Sequence, residues 1–326
     1  MSGVETRRVD AAGLAEAVEA AVDCLSAGEV VALPTETVYG LAADATRPEA
    51  VLKIFEAKAR PLFDPLIVHL PGMEWLERVC GLEPGLRRQV EALAAAFWPG
   101  PLTLVLPRKP MVPDLVTSGL ETVALRISAH PVFDAVVRRF GRPLAAPSAN
   151  RFGRISPTAA GHVLEELGGR IPLVIDGGPC RHGIESTIVA PAGDELRVLR
   201  AGPVAPSDLE RFGTVRMISG VKEVRPEAPG QLASHYAPRT PMRLRVGDEW
   251  PEGAGVLFWR GQPEPRGRCE VLSPAGDLRE AAMNLFAKLR QLDESGVTEI
   301  LAEPVPETGV GIAIMDRIRR AAHRGV

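Results

Sequence analysis

The chain has 326 residues, of which 45% are hydrophobic and 24% are charged, as is ordinary for a globular protein. At about 100–200 residues per domain, this length predicts two domains. The net charge is −3, from 38 basic and 41 acidic residues. This balance argues against a whole-surface attraction to nucleic acid, so any polyanion site must be a local basic pocket.

The cysteines and the N-terminus indicate a cytoplasmic protein. Cys24, Cys80, Cys180 and Cys269 have no CxxC or zinc-finger spacing, which favours free thiols in a reducing compartment. The opening MSGVETRRVDAAG lacks the apolar core of a signal peptide. No run approaches the roughly 18 apolar residues that a membrane span needs.

Helical patterns recur along the first two thirds of the chain. Amphipathic spacing, with Gly or Pro at the ends, predicts helices over Ala11–Ala27, 46–57 and 83–97, and another from Pro131. Thr46 and Glu49 have the spacing of a capping box at the start of the second helix. Ser156, Pro157 and Thr158 predict a further helix start.

Short apolar runs between these helices predict strands. They are 29–34, 66–70, a run from Leu102, 122–127, 143–147, 172–176, 185–190 and 196–200. Several of these strands follow one another without a helix between them. This order predicts an α/β fold with a twisted mixed sheet flanked by helices.

A proline-rich stretch separates this region from a smaller one. Residues 216–241 are predicted to form a linker, because prolines and a glycine interrupt any regular element there. Beyond it, the runs MRLRV, GVLFW and EILAE predict strands, and helices are expected over 276–294 and from Ile314. Residues 242–326 are therefore expected to form a small α/β domain, after a first domain over 1–215.

Three strand ends carry loops rich in hydroxyls and glycines: Pro34–Thr37, Pro147–Asn150 and Asp176–Pro179. Ligands of α/β sheets bind beyond strand ends, and these residue types suit a phosphate or a carboxylate. The same residues also favour ordinary turns, so each loop by itself leaves both interpretations open.

Basic residues suggest where an anion would bind. Lys58 and Arg60 follow a helix and precede a strand, which suits triphosphate binding or simply offsets the helix dipole. Arg126 lies inside an apolar strand, where a buried cation needs a partner such as a ligand carboxylate. His69 in LIVHL raises the same question, and Arg200 at a strand end is a further candidate.

Common catalytic motifs are absent from the sequence. There is no GxGxxG fingerprint, GxxxxGK[ST] loop, HExxH or GxSxG motif, and the six histidines lack metal-ligand spacing. The residues alone therefore indicate only an anion-binding α/β enzyme.

Read together, several segments resemble the threonylcarbamoyl-AMP synthase family, also called YrdC-like. The matching stretches, in family order, are PTETVYGLAADA, KARPLFDPLIVH, FWPGPLTLVL, VALRISAHP, PLAAPSANRFGRISPTAA, VIDGGPCRHGIESTIV and VLRAGPV. The later stretches SHYAP and GVGIAIMDRIRRAA resemble the long, two-domain form of the family.

The resemblance implies a YrdC-like catalytic domain over 1–215, a flap within 216–241 and a Rossmann-like second domain over 242–326. It implies a nucleotidyltransferase that condenses L-threonine, bicarbonate and ATP to threonylcarbamoyl-AMP and pyrophosphate. The product supplies tRNA threonylcarbamoyladenosine through a downstream transferase, so tRNA is an indirect partner. Mg²⁺ is expected to accompany ATP, held largely by phosphate oxygens and water.

The resemblance also implies two groups of site residues. The threonine group is Thr37, His69, Arg126, Ala146 and Ser186. The ATP group is Lys58, Arg60, Asp64, Thr122, Ser148, Asn150, Ser156, Arg200 and Tyr236. The chain departs from the usual family pattern at Ala59, Asp64 and Phe152, where Gly, Asn and Ser are common.

The sequence leaves two other functions to compare with this one. A YrdC-like domain with a basic concave surface would suit a non-catalytic RNA-binding module, although the acidic net charge argues against it. A related carbamoyl-adenylate enzyme of metalloenzyme maturation would carry acylphosphatase-like and zinc-finger segments, and neither is visible in the sequence.

Overall fold

The computed structural model describes residues 4–218, 227–230, 235–261 and 267–323. The α-helices of these residues are α1 Leu14–Ser26, α2 Pro48–Lys58, α3 Leu76–Val79, α4 Pro84–Phe97, α5 Asp114–Thr117, α6 Pro131–Phe140, α7 Ala160–Leu167, α8 Pro206–Leu209, α9 Leu278–Glu294 and α10 Gly311–Ala322. The strands β1 to β8 are Arg7–Asp10, Val31–Leu33, Gly40–Asp44, Ile67–His69, Leu102–Pro107, Thr122–Arg126, Leu144–Ala145 and Leu173–Asp176. The strands β9 to β15 are Thr187–Ala192, Glu195–Arg200, Thr214–Met217, Met242–Leu244, Ala254–Phe258, Cys269–Val271 and Glu299–Ala302.

The first region is built on an eleven-stranded sheet in the order β1-β8-β2-β3-β7-β4-β6-β5-β9-β10-β11. Parallel pairs such as β4 with β6 alternate with antiparallel pairs such as β5 with β6, so the sheet is mixed. Helices α1 and α6 pack on one apolar cluster, and the larger core cluster contains buried residues of α2, α4 and α7. The predicted twisted mixed sheet flanked by helices is confirmed.

The second region has a four-stranded parallel sheet in the order β12-β15-β13-β14. Helices α9 and α10 supply the buried side chains that cover it, including Leu285, Phe286 and Ile314. A small parallel sheet with crossover helices is the arrangement expected of a Rossmann-like domain. The predicted second α/β fold is therefore confirmed.

Some local predictions were wrong. The capping box is absent, because the Oγ of Thr46 donates to Asp44 and Glu49 pairs with Arg47, the residue before α2. The helix predicted at Ser156 begins only at Ala160, since Ser156 is buried and turned toward Glu185. Strand β3 was missed, because a continuous run of small buried residues has no alternating pattern.

The predicted linker is only partly described. Residues 219–226 and 231–234 lie outside the described residues. The edge strand β11, Thr214–Met217, runs into the start of the predicted linker and was not predicted from the sequence. The predicted domain limits at 215 and 241 stay predictions.

The strand order brings the polar strand ends together. Strands β4, β6 and β7 are neighbours, and the register sets His69 against Arg126 across the β4–β6 pair. The loop after β2 and the loop after β7 reach the same region, since Gly40 forms an isolated bridge with Ser148. No helix in the described ranges is long and apolar enough to cross a membrane.

Candidate active site

A small cavity of about 40 Å³ lies where these strand ends meet. Its lining comes from separate parts of the chain: Thr35, Thr37, Val38, Gly40, Arg60, Ile67, His69, Arg126, Ala146, Pro147, Ser148, Glu185, Ser186, Arg200, Pro229, Gly230, His235 and Tyr236. Three guanidinium groups therefore face one cavity, although they are far apart in sequence.

The structure brings most of the predicted residues to this cavity. All five residues of the threonine group line it, and so do four of the ATP group, namely Arg60, Ser148, Arg200 and Tyr236. Four more of the ATP group contact lining residues or their close neighbours: Lys58, Asp64, Asn150 and Ser156. Thr122 is not brought there, because it starts β6 at the end opposite Arg126.

Arg126 is a buried cation held by an acid from its own chain. Its Nη2 donates to Glu36 at 2.5 Å, its Nη1 to the Thr37 hydroxyl at 3.0 Å, and its Nε to the Gly100 carbonyl at 3.1 Å. Burial by itself would raise the pKa of Glu36, but Arg126 and a hydrogen bond from Ser128 lower it to about 2. Two of the five guanidinium N–H groups are left for a ligand.

His69 is neutral in this environment. It is 2% exposed and packs against the ring of Phe133, with ring centroids 4.5 Å apart. Burial, aided by the positive charge of Arg126, lowers its pKa to about 3. Its Nδ1 is buried and has no hydrogen-bond partner among the described residues, so it is available to a polar ligand atom.

Lys58 lies immediately behind the loop after β7. It ends α2, is 1% exposed, and donates to the carbonyls of Ser148 and Asn150. Burial, together with the neighbouring Arg60, lowers its pKa well below the usual range. Carbonyls compensate a cation only in part, so a polyanion near Lys58 would stabilise its charged form.

Arg60 and Asp64 form a buried ion pair at 2.8 Å. The guanidinium also donates to the carbonyls of Asp64 and Pro65, and its Cζ lies 6.0 Å from the ring centroid of Phe152. The carboxylate at position 64, unusual for the family, is therefore matched by a cation. Burial raises the pKa of Asp64, although Arg60 and Lys58 oppose that shift.

Arg200 ends β10 and joins two parts of the cavity wall. Its Nε and Nη2 donate to the carbonyl and hydroxyl of Ser186 at 3.1 Å, and its Nη1 donates to the Pro229 carbonyl at 3.2 Å. Among the described residues, Lys58 and Arg200 are bonded to carbonyl or hydroxyl oxygens and to no carboxylate. These two cations are therefore the least compensated in the site.

Four residues on the far side of the cavity, Pro229, Gly230, His235 and Tyr236, are here called the flap residues. Tyr236 is 1% exposed and has a left-handed backbone, with φ 65°. Its ring lies 4.2 Å from that of His235, which in turn lies 6.0 Å from Phe152. A Cβ on Gly230 would approach the Tyr236 hydroxyl to 2.7 Å, so glycine is required for this close contact.

Two acids at the site were not among the predicted site residues. Glu36 pairs with Arg126, and Glu185 lines the cavity and accepts a hydrogen bond from Ser156. In the sequence, both acids stand beside hydroxyl residues, in PTET and EST. This pattern is also typical of turns and helix caps, so it did not single them out as site residues. Only the fold shows which cations they face.

A metal cluster supplied by protein is not seen among the described residues, since no three His, Cys, Asp or Glu side chains gather there. The acids nearest the cations of the site are already paired, Asp64 with Arg60 and Glu36 with Arg126. A divalent cation entering here would therefore take most of its ligands from its own phosphate and water shell.

Two family models match consecutive parts of the chain. One, described as telomere recombination, matches residues 23–202, and the other, described as the C-terminal domain of threonylcarbamoyl-AMP synthase, matches 204–323. Threonylcarbamoyl-AMP synthase of Bacillus subtilis is 41% identical over 316 residues, covering 91% of this chain and 90% of that protein. The enzyme of the same name from Pyrococcus abyssi is 40% identical over 311 residues, covering 90% and 91%.

A solved structure extends this similarity to the fold. The crystal structure of Pyrococcus abyssi Sua5 complexed with L-threonine has a TM-score of 0.88 at 38% identity and covers 97% of both chains. The match therefore includes both sheets and the residues that line the cavity. From its sequence, its fold and these relatives, the chain belongs to the two-domain form of the threonylcarbamoyl-AMP synthase family.

Proposed function

We propose that this protein is an L-threonylcarbamoyladenylate synthase, a nucleotidyltransferase that makes threonylcarbamoyl-AMP and pyrophosphate from L-threonine, bicarbonate and ATP. One observation carries the proposal. A single cavity has Arg126 among the residues of the threonine group, and Arg60 and Arg200 among those of the ATP group. The names of the relatives and the threonine complex of the archaeal structure support the same conclusion.

The chemistry needs positioning and charge neutralisation more than a protein nucleophile. The threonine amine adds to bicarbonate and releases water, which gives a carbamate. A carbamate oxygen then attacks the α-phosphorus, and the bond to the bridging oxygen of pyrophosphate breaks. Holding the two reactants in line, with cations around the leaving group, supplies most of the required stabilisation.

The threonine half of the site would be built around Arg126. Its two remaining N–H groups suit a carboxylate, and Glu36 with Thr37 fixes the guanidinium in place. The neutral His69 leaves Nδ1 for the hydroxyl or amine of the ligand. The N–H of Ala146 already donates to Ile67, so its carbonyl is the backbone group that a ligand could use.

The ATP half would be built around Lys58, Arg60 and Arg200. These cations are buried, and a triphosphate would give Lys58 and Arg200 the negative partner that they lack among the described residues. Ser148 and Tyr236 line the same cavity, the Asn150 carbonyl accepts from Lys58, and Ser156 donates to the lining residue Glu185. Within the part of the chain that the structure describes, Thr122 has no contact at the cavity that supports the role implied by the resemblance.

The flap residues must move for ATP to enter. The present cavity of about 40 Å³ is far below the roughly 300–1,000 Å³ of pockets that hold small-molecule ligands. Closure over bound substrates would exclude water, which protects the labile carbamate and mixed anhydride. We therefore propose that the described state is a closed one.

Mg²⁺ is proposed to enter with ATP and to neutralise phosphate charge. Phosphate oxygens and water would be its main ligands, in line with its preference for keeping part of its hydration shell. The expected result of chelation is loss of pyrophosphate release, while threonine binding in the absence of ATP is unchanged. The tRNA and the transferase that consume the product are proposed as downstream partners.

The deciding experiment is pyrophosphate release from ATP by the full-length protein with Mg²⁺. Release should require threonine and bicarbonate together, and omitting either one should abolish it. Folded protein that releases no pyrophosphate under the complete conditions would refute the proposal. Tight, salt-sensitive tRNA binding without ATP turnover would instead favour the RNA-binding module.

A further inference from the structure

Helix α10 of the second domain carries a deeply buried arginine. Arg317 is 1% exposed and lies on the same face of α10 as the core residues Ile314 and Ile318. Burying a guanidinium is costly unless it is paired and hydrogen-bonded. The burial of Arg317 must therefore be compensated by the groups that its guanidinium contacts.

The main buried partner of Arg317 belongs to the first domain. Its Nε donates to the Oε2 of Glu185 at 3.0 Å, and both side chains are less than a tenth exposed. Its Nη1 donates to the neighbouring Asp316 at 2.8 Å. Arg317 thus links the last helix of the second domain to the loop before β9 of the first.

Glu185 transmits this contact to the cavity. Its side chain lines the cavity, and its other oxygen, Oε1, accepts a hydrogen bond from Ser156. The next residue, Ser186, is bonded through both its carbonyl and its hydroxyl to Arg200. Fixing Glu185 therefore fixes two groups on the proposed ATP side, Ser156 directly and Arg200 through the backbone.

Arg317 also reaches a flap residue. Its Cζ lies 5.2 Å from the ring centroid of Tyr236, within the range of a cation–π contact. On helix α9, Phe286 stacks on the same tyrosine, with centroids 5.6 Å apart. The second domain therefore holds Tyr236 with a cation and an aromatic ring while its backbone is in the unfavourable left-handed conformation.

We propose that Arg317 is a positioning residue for the ATP site, through which the second domain sets Glu185 and Tyr236 in place. The inference rests on the proposed function, since it takes the cation-lined half of the cavity as the ATP site. It predicts that the second domain is part of the catalytic apparatus, with Arg317 acting through its neighbours and not by touching the reacting atoms.

A purely structural role would predict something different. A second buried ion pair joins the two domains: Arg290 of α9 lies 3.3 Å from Glu166 of α7 and donates to the Ile155 carbonyl. Neither Arg290 nor Glu166 lines the cavity. Arg290→Met is therefore a matched control, because it removes a buried interdomain cation without removing a contact to Glu185 or Tyr236.

The test compares Arg317→Met, Arg317→Lys, Glu185→Gln and Arg290→Met in the full-length protein. Calorimetry would measure binding of a non-hydrolysable ATP analogue and of threonine separately, and pyrophosphate release would give KM and kcat. For Arg317→Met and Glu185→Gln we expect ATP-analogue affinity to fall about tenfold or more, since small misplacements at a site have effects of this size. Threonine affinity should change by much less, and Arg317→Lys should recover part of the loss.

The outcomes separate this inference from the proposed function. If Arg317→Met lowers the affinities for the ATP analogue and for threonine equally, and by no more than Arg290→Met does, then Arg317 only stabilises the contact between the domains. The inference then fails. If Arg317→Met does not fold, Arg317→Lys and Glu185→Gln decide the question. In these variants too, the loss of ATP-analogue affinity is compared with the loss of threonine affinity. Wild-type protein that binds threonine but no ATP analogue would overturn the proposed function itself.

Discussion

At the scale of single residues, the buried charges of the site differ in what compensates them. Arg60 pairs with Asp64, Arg126 with Glu36, and Arg317 with Glu185. A cation held by a carboxylate is oriented in advance, whereas one held by carbonyls alone keeps excess charge for a ligand. The first kind suits positioning, and the second kind, as in Lys58, suits polyanion binding.

Arg126→Ala should weaken threonine binding far more than ATP binding. Truncating one partner of a buried charged pair costs about 2–5 kcal/mol, which is roughly thirtyfold in affinity or more. Because the substitution also leaves Glu36 buried without a cation, the double variant Arg126→Ala/Glu36→Gln separates misfolding from lost binding. A greater loss of ATP affinity than of threonine affinity in either variant would show that the two subsites are wrongly divided.

ATP binding should be accompanied by proton uptake at Lys58. Burial and Arg60 lower the pKa of Lys58 in the free protein, and a bound triphosphate would raise it again. At pH values between the free and bound pKa, binding takes up a proton, so affinity should fall as pH rises through that window. Calorimetry in two buffers of different ionisation enthalpy measures the number of protons.

The control for this prediction is Lys58→Arg. Arginine stays protonated throughout the accessible pH range. The Lys58→Arg variant should therefore keep the positive charge but take up no proton at this position when ATP binds. Equal proton numbers for the wild type and for this variant would mean that another group titrates.

At the scale of elements, the end of helix α2 sets the geometry between Lys58 and Arg60. Ala59 closes the helix in the left-handed conformation, with φ 51°, and its N–H donates back to the last turn. This reverses the chain so that Lys58 points behind the Ser148 loop while Arg60 faces the cavity. Glycine is the usual residue in such a conformation because it has no Cβ to clash.

Ala59→Gly should therefore stabilise the protein. Removing the left-handed strain raises the free energy of unfolding by about 1 kcal/mol. The greater conformational entropy of glycine in the unfolded chain offsets part of this gain. Denaturant unfolding measures the change, and Ala57→Gly, within the last turn of the same helix, should instead destabilise by about 1 kcal/mol. A loss of stability in Ala59→Gly as large as in Ala57→Gly would contradict the strain argument.

At the scale of the whole molecule, the site is complete only when both domains and the flap residues meet. Tyr236 touches Arg317 and Phe286 of the second domain and, through Gly230 and Arg200, the first. Closure over a ligand is thus a property of the assembled chain. A Cβ on Gly230 would lie 2.7 Å from the Tyr236 hydroxyl and 3.2 Å from the Cδ of Arg200, so there is no room for a side chain at this position.

Gly230→Ala should impair closure while leaving the fold intact. Its methyl group would lie 2.7 Å from the Tyr236 hydroxyl, so we expect KM for ATP to rise about tenfold through misplacement of the ring. Gly193→Ala is the control, because Gly193 also has a positive φ of 63° but has no atom within 4 Å of the added Cβ. Both variants share the backbone cost, so equal kinetics would show that Tyr236 tolerates the displacement.

The sequence predicted the longer helices, most of the strands and the family, but not the short helices α3, α5 and α8. Amphipathic spacing predicted α4 and α9 to within about two residues, since those helices are long and periodic. It failed at β3, whose two faces are both buried, and at Ser156, where a tertiary hydrogen bond to Glu185 replaces a helix start. Local pattern carries no information about such distant partners.

What only the tertiary structure decided is which charges meet. The sequence by itself offered Lys58 and Arg60 as a pair after a helix, Arg126 inside a strand and Arg200 at a strand end, and the family resemblance grouped them. The sheet order then paired Arg126 with Glu36, and the packing of α10 paired Arg317 with Glu185. The energy of a buried charge depends on neighbours that are distant in the chain, so its role was settled by the fold and not by its own segment.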